Sequence, residues 1–99
     1  MKDGFISKVG VYGQMHYRYL KETRPSTVNV MRVKGTLRQY LEEVNANAEE
    51  MLARLEREMA KSEGVTEELK RRDQMAWVQR KNNIRARAME IVQQEVIFV

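Results

Sequence analysis

Along residues 37–59 the apolar side chains Leu37, Leu41, Val44, Ala48, Met51, Leu55 and Met59 recur in alternating steps of four and three. That is the spacing of one stripe on an α-helix, and Tyr40 and Leu52 widen it. The positions between are mostly Glu and Arg, as expected of a solvated face. Thr36 and Gln39 stand three apart as a capping box would, so the spacing predicts a helix over 36–62, about 40 Å long at 1.5 Å per residue. "KSEGVTEELK" then reads as a sharp turn. Gly64 suits the left-handed position past a helix end and Val65 folds back on Met59 or Ala60. Thr66 caps the next helix, with Glu67 and Glu68 near its positive end. The second helix is expected over 66–95, antiparallel to the first.

Two lines along that second helix carry apolar residues. One runs Met75, Val78, Asn82, Arg85, Met89, Val92, Val96 and the other Trp77, Lys81, Ile84, Ala88, Ile91. Together they are expected to meet the first helix in a seam of Leu41, Val44, Met51, Leu55, Met59, Trp77, Val78, Asn82, Ile84 and Ile91. Within it, Asn82 is expected as a polar inset that fixes register. Upstream, Tyr12, Met15, His16, Tyr19 and Leu20 have helical spacing, and Pro25 ends that run. Ser26 or Thr27 caps a second short element closed by Gly35. Its Val28, Val30 and Val33 suit a strand nearly as well as a helix. Phe5, Val9 and Val11 are expected in a short extended arm, and the terminal "VIFV" either stays helical or leaves as a small strand. The fold class is therefore all-α: a long antiparallel α-hairpin (36–62 and 66–95) with one or two short N-terminal helices packed across it. The 99 residues are read as one helical domain, with an arm over 1–12, short elements over 13–35 and the hairpin over 36–95.

Charge changes this picture more than composition does. The net charge of +4 resolves into +6 over residues 1–40, −6 over 41–69 and +4 over 70–99. Either the acidic middle pairs with its neighbours inside the fold, or the basic ends address an anionic partner. The absence of cysteine excludes disulfides, a thiol nucleophile and zinc fingers. His16 is the only histidine, which removes His-based triads and paired-histidine metal sites; as a lone helical histidine it is expected at the surface or in a cap. Gly10 and Gly13 lack the Lys-Ser/Thr ending of a phosphate loop. No catalytic residue, metal ligand or cofactor is expected, and no run is long enough to cross a bilayer. With no signal peptide before the charges, a cytoplasmic protein is expected.

The candidate chemistry is nucleic-acid contact. Arg72, Ala76, Arg80, Asn83, Arg87, Glu90 and Gln94 share a line expected to face away from the seam. Arginine reads guanine edges and asparagine reads adenine edges in a major groove. Arg18, Lys21 and Arg24, interleaved with tyrosines, are the second candidate group, since aromatic rings can stack on bases. Tyr17 is the ring expected to be exposed, whereas Tyr19, Tyr40 and Trp77 are expected in or near the core. The bland alternative for the arginine line is an inert solvated face.

The stretches "YGQMHYRYLKETRP", "EGVTEELK" and "QMAWVQRKNNIRARAMEIVQQEVIFV", joined through "LEEVNANAEEMLARLEREMA", resemble the TnpV family of small proteins encoded on mobilisable transposons of bacteria. The resemblance spans residues 10–99. It implies a non-enzymatic accessory role beside site-specific recombinases, similar to the small basic excisionases that bind DNA, with double-stranded DNA as the expected partner. It equally brings in a rival reading: a helical inhibitor that holds a recombinase or a host nuclease, as anti-CRISPR proteins do, or an oligomeric module such as a homodimer.

Overall fold

The computed structural model describes Gly4 and residues 6–99. Its spine is α3, Leu37–Ser62. The inner side of α3 buries Leu37, Leu41, Val44, Ala48 and Leu52. Across its first half α1, Val11–Thr23, runs antiparallel, as shown by Gly13 lying beside Leu41 and Asn45 while His16 reaches Tyr40. Helix α2, Pro25–Lys34, closes that end by placing Val28 against Tyr17, Leu20 and Leu37. Along the second half lie the short α4, Glu67–Arg72, and α5, Gln74–Val92. The chain then widens into a π-helical turn, Gln93–Ile97, which returns to α1 and α3. Among the described residues there is no strand.

The apolar interior is three clusters strung along α3. One gathers Val9, Tyr17, Leu20, Val28, Leu37 and Leu41. The next joins Ala48 and Leu52 to Ala88, Val92 and Ile97. The third joins Val65, Leu69 and Ile84, with Met59, Ala60 and Trp77 at its margin. This serial layout makes the molecule long, 55 × 21 × 16 Å. Its radius of gyration of 17.1 Å compares with about 13 Å for a compact chain of this length.

Several local expectations hold. Gly64 is left-handed at φ 71°, and Val65 N–H donates to Ala60 O at 2.9 Å. Thr66 Oγ1 accepts from Leu69 N–H at 3.2 Å, with Glu67 and Glu68 in the first turn. Other details differ. Thr36 makes no side-chain cap, and Gln39 donates to Glu43 at 3.4 Å, so the capping box does not form. Neither Ser26 nor Thr27 caps α2: Pro25 occupies its first turn, where a missing N–H costs nothing, and Arg24 precedes it. The valines of 28–33 are helical. Of the expected N-terminal arm, Phe5 lies outside the described residues, Ile6–Lys8 form a single 3₁₀ turn, Val9 is buried and Val11 opens α1.

The expected second helix of 66–95 is broken at Asp73. Its backbone (φ −151°, ψ 87°) leaves the helix, and its carboxylate accepts from Ala76 N–H at 3.1 Å to start α5 afresh. An N-cap carboxylate three residues before a free amide is a helix start in its own right. The face that α5 turns toward α3 also differs from the expected one. Ile84, Ala88 and Val92 are buried, and Trp77 and Ile91 are half-buried. Asn82 and Val78 are exposed, however, and so is Met75. Asn82 is therefore no register-fixing inset. Burying its amide would require hydrogen-bond partners, whereas the small Ala88 lets α5 approach Ala48 closely.

Candidate nucleic-acid interface

The helical framework is held at its centre by polar groups that the sequence reading missed. Gly10, at the start of α1, has no side chain to cap the helix. Asn45 of α3 does so from outside: its Oδ1 accepts from Tyr12 N–H at 2.9 Å and from Gly13 N–H at 3.0 Å. The approach requires glycine, since a Cβ on Gly13 would stand 2.8 Å from Leu41 O and one on Gly10 2.4 Å from the Asn45 amide. Nearby His16 is buried at 1% exposure, contrary to the surface or cap position expected of it. Its Nδ1 lies 2.7 Å from Ile97 O and its Nε2 2.8 Å from Tyr40 Oη. A carbonyl only accepts, so Nδ1 carries a hydrogen; in the neutral ring Nε2 accepts from the Tyr40 hydroxyl. One imidazole thus joins α1, α3 and the π-helical turn.

The two candidate basic groups are far apart. Arg18 and Lys21 sit on α1, and Arg24 just after it, beside the beginning of α3. There Lys21 Nζ stands 5.1 Å from the centre of the Tyr17 ring, and Arg24 stands 5.9 Å from that of Tyr19 while donating to Val99 O. Arg18 is exposed beside Met15, Tyr19, Glu22 and Phe98. Tyr17, expected to be exposed, is buried at 4% with its hydroxyl accepting from Arg32 at 2.5 Å. The group on α4 and α5 lies toward the other end of the spine. The length of α3 between them is about 39 Å at 1.5 Å per residue, so the groups do not form one patch.

At that other end the expected arginine line is partly committed inside the chain. Arg87 donates to Glu63 Oε1 and to Asn83 Oδ1, both at 2.8 Å. The bond from Arg87 holds the Glu63 carboxyl below its ordinary range, against a smaller opposing effect of desolvation, and holds the Arg87 guanidinium above its own. Arg85 donates to Glu56 at 2.8 Å. These bridges from α5 to α3 are the pairing of the acidic middle with a basic neighbour that the charge pattern raised as one alternative. Arg87 and Asn83 are therefore not free readers on an outward line.

Other groups are free. Among the described residues, Arg71 and Arg72 make no ion pair; Arg80 forms no direct bridge either, though its charge helps hold the Glu63 carboxyl down, and all three are exposed. Lys70 and Lys81 flank Trp77, their Nζ atoms 4.7 and 5.9 Å from its ring centre. Beside these cations, the outward face of α5 presents Met75 (72% exposed), Val78 (40%), Gln79, Asn82 and Ala86. From Gln74 to Met89 there is no acidic residue. The start of α5 was signalled in the sequence by Asp73 three residues before Ala76; which face it turns outward was not, since that depends on packing against α3. No group of three or more His, Cys, Asp or Glu that could hold a metal ion occurs among the described residues.

The model of the family described as transposon-encoded protein TnpV matches residues 2–97 of the chain. No curated protein and no solved structure matches it.

Proposed function

For a chain that belongs to the family of transposon-encoded protein TnpV, we propose a non-enzymatic accessory role in the mobile element, exerted by binding duplex DNA through the α4–α5 end. The observation that carries this reading is the acid-free run Gln74–Met89 on an exposed helix, next to the unpaired Arg71 and Arg72 and to Arg80, which is exposed and makes no direct bridge. Cations without an internal partner release counterions when they meet phosphates, and a lone α-helix fits the major groove. An excisionase-like or regulatory role follows from DNA binding in that genetic setting, and the site of action is then the cytoplasm.

The test is a titration of labelled duplex DNA, including the element's own ends, at several salt concentrations. With three or four phosphate contacts, affinity falls about 40–150-fold between 50 and 200 mM salt. Replacing Arg71, Arg72 and Arg80 together by alanine weakens binding to every duplex and flattens that slope, without unfolding the chain. No binding at low salt, or binding indifferent to salt, overturns the reading.

A protein-binding role is the second reading, and exposed apolar residues on α2 favour it. Val33 is 88% exposed and Val30 lies beside it in a shallow groove with Asn29 and Lys34. A recombinase, a host nuclease or a second copy of the chain would cover them. Sedimentation of wild-type protein and of Val30→Ser/Val33→Ser measures the last case: a dimer that the double variant dissolves supports it, and a concentration-independent monomer excludes it.

A further inference from the structure

Which bases such a helix reads is set by the side chains left free on its outward face. Resting on the DNA-binding reading above, we infer that α5 selects A·T base pairs in the major groove through the amides of Gln79 and Asn82, with Met75 and Ala86 against thymine methyls.

Hydrogen bonds inside the chain leave few side chains of α5 able to read a base. Guanine is recognised chiefly by a forked arginine, adenine by a bidentate Asn or Gln, and the thymine methyl by apolar contact. On α5 the guanidiniums of Arg85 and Arg87 are held by Glu56 and Glu63, and Asn83 Oδ1 is taken by Arg87. Gln79 and Asn82 are exposed and make no hydrogen bond among the described residues. Met75, Gln79, Asn82 and Ala86 succeed one another at steps of four, three and four, so they form a single stripe. That stripe is about 16 Å long, enough to lie over four or five base pairs at 3.4 Å each. It carries no charge, and Arg80 on its flank and Arg72, two residues before the helix starts, supply the complement to the phosphates.

Anisotropy titrations of the full chain decide the matter, using four labelled 20-base-pair duplexes at one salt concentration. These are an A·T-rich duplex, a G·C-rich one, the A·T-rich duplex with every thymine replaced by uracil, and the same duplex with 7-deazaadenine. The A·T-rich duplex is expected to bind about tenfold tighter than the G·C-rich one. Loss of the methyl or of N7 each removes several-fold, because both groups lie in the major groove. Gln79→Ala/Asn82→Ala brings A·T binding down to the G·C level with its salt slope kept, and circular dichroism confirms that this surface variant stays helical. Equal, salt-dependent binding to all four duplexes overturns the base assignment and leaves the DNA reading standing. A preference that survives in the double variant, or that ignores uracil and 7-deazaadenine, overturns it too. Binding to none of them overturns the proposed function itself.

Discussion

Asn45 shows how much one side chain can settle. Two amides in the first turn of α1 have no intrahelical partner, and its single carbonyl satisfies both. Asn45→Ala is expected to cost about 1–3 kcal/mol in urea denaturation, the range for leaving buried donors unmet. Asn45→Asp keeps the acceptor and adds a charge favoured at a helix N-terminus, so it retains most of the stability at neutral pH. His16 makes a comparable demand. Tyr40→Phe removes the hydroxyl that Nε2 accepts from, and a loss of about 1–2 kcal/mol is expected by the same measurement. At Glu63 the sign of the pH effect follows from its lowered pKa. The Arg87 bond stabilises the fold while the carboxylate is ionised in the unfolded chain too, and that contribution is lost as pH falls through the folded value. Denaturation of wild type and Glu63→Gln should therefore differ at pH 7 and converge as the pH falls below the ordinary glutamate range. High salt narrows the gap, since the two side chains are 39% and 42% exposed.

At the level of elements, Asp73 decides where α5 begins. Asp73→Ala removes the cap and is expected to cost about 0.5–2 kcal/mol, read from the urea midpoint. The long periodic stripe of α3 and the Gly64–Thr66 turn were legible in the sequence because each is a local pattern with a local cause. The phase of α5 was not. Its two candidate lines both carry apolar residues, and choosing between them depends on the partner helix: Ala88 packs where Ala48 leaves room. The Asn45 cap was equally hidden, since 33 residues separate it from Tyr12. Of the nucleic-acid candidates, Arg72 and Arg80 remain exposed without a direct bridge. Arg87 and Asn83 belong to internal bonds that only the packed helices bring about.

For the whole molecule, the layout of three small clusters along one spine means that neither end protects the other through a shared core. Hydrogen exchange should then show graded protection, greatest around Ala48, Leu52 and Ala88 and least toward α2 and α4. The separation of the basic groups has a binding counterpart. Substitutions at Arg18, Lys21 and Arg24 should leave the affinity of the α4–α5 end for DNA within about twofold, since an intervening stretch several Debye lengths long screens them.

The bond from His16 to the carbonyl of Ile97 spans 81 positions, and the burial of Ile97 completes the middle cluster. A chain still being synthesised has made α1 and α3 long before it holds this clasp. While translation proceeds, the seat for Ile97 stands open and the imidazole is without that acceptor. Maturation of the amino-terminal half therefore waits for Ile97 to leave the ribosome. A chain stopped at Val92 should keep the α3–α5 pairing while the amides of α1 exchange rapidly.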